Sequence, residues 1–178
     1  MDARVTGARL ETERLLLRWF TFDDVEAFHE LGSDPLIVRY VGNRPFASRD
    51  VARATLASAP LNDYAIYGYG RFACVWKETG AVIGSCGPKF LPDTQDVDLG
   101  FRFLPSFWGI GLATESSLAV IAYARHQLTL KRLVAWVHPD NVASTRVLRK
   151  LGFSFETKTS IPDISYVDFD LYGKHLDG

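Results

Sequence analysis

The chain has 178 residues, 47% hydrophobic and 23% charged, with a formal net charge of -1. That allows one domain over 1–178 with its own apolar core, and the near-neutral balance argues against a nucleic-acid binder. No apolar run approaches the ~20 residues of a membrane span, and the charged start lacks the core of a signal peptide, so a cytoplasmic protein off the membrane is expected.

In chain order, "TERLLLRWF" (12–20) reads as a strand. "TFDDVEAFHELG" (21–32) reads as a helix, with Thr21 or Asp23 as cap and Gly32 as stop. "DPLIVRYVG" is a short helical segment ending near Gly42. "SRDVARATLASA" (48–59) is a second helical pattern, with Val51, Ala52, Leu56 and Ala59 on one face. "RFACVWKETGAVIGSCGPKFL" (71–91) reads as strand, turn, strand. In "DVDLGFRFLP" (96–105), Val97, Leu99, Phe101 and Phe103 point one way, and Asp98, Gly100 and Arg102 the other. A helix to about Gln127, a strand at 131–139, a helix at 140–153 stopped by Gly152, and two closing strands complete the series. Early helices, a hairpin sheet, then strand–helix–strand–helix–strand predict an α+β or α/β layered fold with a mixed sheet. Cys74 and Cys86 have no C-x-x-C spacing and no histidine cluster, so buried free thiols and no metal are expected.

Between the 96–105 strand and the next helix the chain reads "PSFWGIGLATE". Two glycines before a helix either make a tight turn or clear an approach to the unpaired N–H groups of the helix start, an anion site. A Walker loop is excluded, since no G-x-x-x-x-G-K-[ST] string exists. A Rossmann fingerprint is excluded too: position 114 is Thr, and Lys131 and Arg132 stand where an acidic residue is needed. Downstream, "VHPDNVASTRVLRKLGF" offers Asp140 or Asn141 as a cap and Ala143, Val147 and Leu151 as an apolar face.

These two motifs, with the opening "LETERLLLRWFTFDDVEAFHEL", resemble the GNAT superfamily of N-acetyltransferases, most closely the branch of ribosomal-protein alanine N-acetyltransferases. The resemblance covers roughly residues 9–173. It implies a mixed, mostly antiparallel sheet of about seven strands with about four helices. It also implies a V-shaped splay between two parallel strands, here 96–104 and 131–137. Acetyl-CoA would be the cosubstrate. Its pantetheine arm would pair with Phe101, Arg102 and Phe103, and its pyrophosphate would meet the N–H groups of Trp108, Gly109, Ile110, Gly111, Leu112, Ala113 and Thr114. Trp108 departs from the family's Gln or Arg at that position. Asn141 would bond the pantetheine arm, Ser144 would lie near the thioester sulfur, and Arg146, Arg149 and Lys150 are candidates for the 3′-phosphate.

An amine attacking a thioester must lose a proton. Asp98 is the first candidate acceptor, against the objection that alternation puts it opposite Phe101; Asp96 and Glu115 follow. A backbone N–H near Phe101 or Arg102 would hold the oxyanion. Ser144 would assist the leaving thiolate, with Tyr166 and Tyr172 as alternates. The acceptor would be a primary amine, on a protein N-terminus or a small molecule, held by residues 22–70 and the C-terminal strands. The tyrosines of "LNDYAIYGYGRF" either line that pocket or pack. The alternatives are a CoA-binding module without turnover and a domain used only for protein contacts. The family also admits a homodimer.

Overall fold

The leading strand expected at 12–20 is present as the second strand of the sheet, and a short strand precedes it. In a computed structural model that describes residues 7–41, 44–160 and 168–177, β1 is Arg9–Glu11 and β2 is Leu15–Trp19. They pair antiparallel around a turn in which Thr12 bonds to Leu15 through both its backbone N–H and its hydroxyl. With β1 added ahead of the expected leading strand, the sheet has eight strands rather than about seven.

A short 3-10 turn, Phe22–Asp24, follows, and Thr21 and Asp24 cap it reciprocally. Helix α1 (Val25–Ser33) then runs through Gly32, which does not stop it. Gly32 is buried there because Phe46 lies where its side chain would be. Asp34 ends α1 and caps α2 (Pro35–Val38), with Pro35 in the first turn. Helix α3 (Arg49–Leu56) is capped by Ser48 and buries Ala52 and Leu56 but leaves Val51 exposed. A π-turn with Pro60 leads into α4 (Asn62–Tyr67), a helix not expected from the sequence.

The hairpin is β3 (Phe72–Trp76) and β4 (Val82–Leu91), followed by β5 (Asp96–Phe103). Helix α5 (Leu112–His126) crosses to β6 (Arg132–Val137). Then come α6 (Val142–Lys150), β7 (Ser154–Thr159) and β8 (Phe169–His175). Gly152 closes α6 as expected: its N–H reaches the Arg149 carbonyl while the Phe153 N–H reaches Leu148.

The sheet order is β1-β2-β3-β4-β5-β6-β8-β7. Every neighbouring pair is antiparallel except β5–β6. That parallel pair needs a crossover, which α5 supplies. Helices α5 and α6 cover one face, packing Leu112, Val120, Tyr123 and Leu148 onto Leu17, Phe72, Leu99, Leu133 and Ala135. On the other face Phe20, Leu56 and Tyr64 meet Ala73. Cys74 and Cys86 are buried free thiols in the sheet, and burial pushes both pKa values up.

Gly87 and Gly100 are opposite each other on β4 and β5. A Cβ on Gly87 would lie 2.8 Å from the Gly70 carbonyl and 2.9 Å from the Arg71 Cα. Both obstacles are backbone, so Gly87→Ala should destabilise the fold by about 1–3 kcal/mol. At ~2–4 °C per kcal/mol this is visible in a thermal melt. An unchanged melting temperature would mean that β3 and β4 separate freely there.

Candidate active site

Strands β5 and β6 share one registered pair, Asp98 with Val134, and then part. The parting leaves an open edge on each. The Leu104 N–H bonds to the Ile83 carbonyl, so by alternation Arg102, Gly100 and Asp98 also turn their backbone groups toward β4. Phe101 and Phe103 turn theirs into the splay. Arg102 was expected on that open edge, but its backbone is committed to Ser85 on β4. No bulge interrupts the β4–β5 register, so Asp98 does lie on the face opposite Phe101.

At the end of β5 the chain makes a 3-10 turn, Pro105–Phe107, and enters the glycine loop. Gly109 and Gly111 have φ of +76° and +88°, which L side chains rarely adopt. Gly111 is the N-cap of α5 and brings no capping side chain. None of the backbone N–H groups from Gly109 to Thr114 donates to another described residue. The loop therefore presents a row of free donors at the positive end of a four-turn helix, a site for an anion. Trp108 departs from the family pattern for a reason visible here. Its indole N–H donates to the Phe103 carbonyl at 2.7 Å and ties the loop to the end of β5. The Phe101 N–H and C=O and the Phe103 N–H are then the groups of β5 left facing the splay.

Asp98 has a different setting from the one expected of a base. Its Oδ2 pairs with the Arg71 guanidinium, and its Oδ1 accepts the Trp136 N–H at 3.4 Å. Arg71 also donates to the Gly87 carbonyl and, at 2.9 Å, to the Asp98 carbonyl. Its guanidinium lies where a Gly100 side chain would be. The Arg71 carbonyl in turn accepts from Tyr64, whose own oxygen accepts the Phe20 N–H. So Arg71 reaches across β4 and β5, and Asp98 closes the first backbone gap of the splay.

The other candidate carboxylates are also engaged. Asp96 is 3.7 Å from Arg132. Glu115 accepts from Thr12, from the Arg14 N–H and from the Arg14 guanidinium. Burial alone would raise its pKa, but these bonds outweigh burial and the net shift is downward. Among the described residues, Asp63 on α4 is a buried carboxylate whose pKa is raised, by burial against the nearby charges of Lys89 and Arg71.

Asn141 spends its side-chain oxygen on the helix: Oδ1 accepts the Ser144 N–H at 3.2 Å. Its amide nitrogen has no partner among the described residues. Ser144 is half-buried in the first turn of α6, and its hydroxyl has no hydrogen bond to a described residue. Lys150 is exposed at the other end of α6, about 13 Å beyond Asn141, as are Arg146 and Arg149 on the solvent side. Tyr172 is buried against Phe155 in the core, and Tyr166 lies outside the described residues.

Several participants gave little sign in the sequence. Arg71, Tyr64 and Trp136 act through partners far away in the chain. His138, at the end of β6, stands between Tyr40 and Phe169 at 5.3 and 5.8 Å. Its Nδ1 accepts the Asp140 N–H at 3.1 Å, which sets the orientation of the ring.

The family model of the acetyltransferase (GNAT) domain matches residues 14–154. The chain belongs to this family and is a GNAT acetyltransferase. It is 34% identical to an uncharacterized N-acetyltransferase p20 of Bacillus licheniformis over 149 residues, 83% of each chain. It is 32% identical over 148 residues to the uncharacterized N-acetyltransferase YoaA of Bacillus subtilis, again 83% of each. A GNAT-family acetyltransferase of Bacillus anthracis superposes with a TM-score of 0.81 at 25% identity, over 95% of this chain and 99% of that one. RimL, a ribosomal L7/L12 alpha-N-protein acetyltransferase solved with coenzyme A, shares the fold at a TM-score of 0.78 and 20% identity, over 94% and 98%.

Glu115 joins the start of α5 to the β1–β2 turn, and its lowered pKa ties that joint to pH. A depressed carboxylate contributes stability above its unfolded pKa, near 4.5, and loses it as pH falls through the lower folded value. Glu115→Gln should therefore be less stable than the parent near pH ~7, with the deficit shrinking below pH ~4. Denaturant midpoints across that range check it. A deficit constant with pH would put the loss in packing, not charge.

Proposed function

We propose that the protein transfers an acetyl group from acetyl-CoA to a primary amine, by direct attack in a ternary complex. The observation that carries this is the row of unpaired N–H groups from Gly109 to Thr114, placed next to the open edge of β5. The pyrophosphate of CoA meets those donors. The pantetheine arm lies along β5 and pairs with Phe101 and the Phe103 N–H, and the free amide nitrogen of Asn141 reaches it from α6. The exposed cations of α6 are too spread along the helix to single out Lys150 for the 3′-phosphate. Two buried free thiols fit a reducing cytoplasmic setting.

The thioester carbonyl then sits in the splay, where the Phe101 N–H faces its oxygen and stabilises the tetrahedral intermediate. The amine arrives from the face of α1–α4 and attacks the carbonyl carbon; the C–S bond breaks and the thiolate leaves. That thiolate resembles a cysteine of pKa ~8.5, so the Ser144 hydroxyl is an accessory proton donor rather than a requirement. Asp98 is a positioning residue in this reading. With one oxygen on Arg71 and the other on the Trp136 N–H, it holds the splay open at a set point. The amine loses its proton to water, since Asp98, Asp96 and Glu115 are all engaged.

Two experiments test this. Acetyl-CoA should bind in isothermal titration, and Gly111→Val should weaken it by roughly 10–100-fold, because a β-branched residue disfavours the positive φ that aims the N–H row. Unaltered affinity would move the anion site off the loop. With an alkylamine of pKa ~10.4, kcat/KM should rise about tenfold per pH unit up to pH ~9. A plateau near pH ~6 would instead reveal a carboxylate or imidazole base in the path.

A further inference from the structure

We propose that Arg102 selects the acceptor by binding a carboxylate that the acceptor amine carries. This rests on the reading above and names the substrate class of the same site.

Arg102 lies on β5 beside the splay, on the same face as Asp98 and Gly100. That is the face opposite Val97, Leu99 and Phe103, which pack under α5. It is the side from which the amine must come. The other arginines of the sheet interior and its joints are neutralised: Arg14 by Glu115, Arg18 by Asp24, Arg71 by Asp98, Arg132 by Glu156. The half-buried Arg102 guanidinium makes no hydrogen bond or ion pair with any described residue. The one charge acting on it is Arg71, which repels it. Burial first, and then that repulsion, push its pKa down to about 10, so it stays charged at neutral pH.

Its neighbours across the strands carry no charge. Ser85, the cross-strand partner of Arg102, is 8% exposed, and its hydroxyl has no hydrogen bond to a described residue. On the facing strand the Trp136 indole N–H is buried and has no partner among the described residues. The Asp98–Val134 pair puts Trp136 level with Gly100, one side-chain step of ~7 Å from Arg102. This corner of the cleft thus holds a guanidinium, a hydroxyl and an indole N–H, and no carboxylate among the described residues pairs with any of them. Burying such donors unpaired is unfavourable, and a ligand that brings two acceptor oxygens removes the deficit. A guanidinium fork matches a carboxylate bidentately. The same positive charge disfavours the ammonium form of a nearby amine, which helps the attack. An amine without an anionic group would meet only the repulsion.

The carboxylate has two sources, a small amino acid or an acidic side chain close to a peptide N-terminus. Thiol release from acetyl-CoA is measured with matched pairs: β-alanine against propylamine, and a short peptide with Asp at its second position against the same peptide with Asn. The parent protein should favour the acidic member of at least one pair by about 10–100-fold in kcat/KM. The pair that shows the preference identifies the source. Arg102→Met should collapse that ratio toward unity, chiefly through KM, and Arg102→Glu should reverse it. Equal rates within both pairs, or a ratio that survives Arg102→Met, overturns the proposal.

A second readout needs no turnover. The Arg102 Nε–H resonance of the acetyl-CoA-mixed protein should move on titration with β-alanine and not with propylamine. No movement with β-alanine or with the Asp peptide overturns the proposal even if no amine is acetylated. Failure of acetyl-CoA to bind would instead sink the reading of the loop and splay.

Discussion

The ion pair between Arg71 and Asp98 is the constraint on which this site depends. Two parallel strands that share a backbone ladder stay together; a cleft needs them to part. Where they part, N–H and C=O groups lose their partners. Asp98 caps the first such group, the Trp136 N–H, with a side chain in place of a strand. A half-buried carboxylate needs a counter-charge, and Arg71 supplies it from the far side of β4. The pair exists because Gly100 leaves the guanidinium the space that a side chain would fill. Tyr64 anchors the Arg71 carbonyl, which links the helical layer to the same clasp. Ion pairs near a surface contribute little on average, but this one also closes backbone valences, so its role is geometric more than energetic.

The same arrangement explains the division of labour between the two faces. On the α5–α6 side the sheet is apolar and packed, and the glycine loop opens at its rim. On the α1–α4 side it carries Arg71, Asp98, Arg102, Ser85 and Lys89. Only the splay joins the two. A donor that needs an anion site and an edge strand suits the first side, and a polar acceptor suits the second. Trp108 belongs to this logic. By occupying the Phe103 carbonyl it defines where the open edge of β5 ends and the anion loop begins.

Much of this was legible in residue patterns. Alternation along 96–103 placed Asp98 opposite Phe101, and the structure keeps that placement because no bulge intervenes. Gly109 and Gly111 before a helix marked the loop whose N–H groups are left without partners among the described residues. The Asn141 cap and Gly152 stop bounded α6. The failures have physical causes. Gly32 reads as a helix stop, but here it makes room for Phe46. Strand β1 gave no signal because it is three residues long and the Thr12–Arg14 turn that follows it contains neither Gly nor Pro. Helix α4 gives little signal because it is short and follows Pro60; of the two readings open for its tyrosines, lining or packing, Tyr64 packs.

The sequence by itself determined the class of fold, the family, the loop and the strand whose edge is open, because each depends on local chemistry: periodicity, turn residues, a run of N–H groups. Only the tertiary structure decided which polar groups are engaged and which are free. Asp98 and Glu115 look as available as any carboxylate until Arg71 and Arg14 arrive from elsewhere in the chain. Arg102 looks like one basic residue among twenty until no described residue proves to pair with it. Pairing of charges is a property of three-dimensional neighbourhoods, and no spacing in a single chain encodes it.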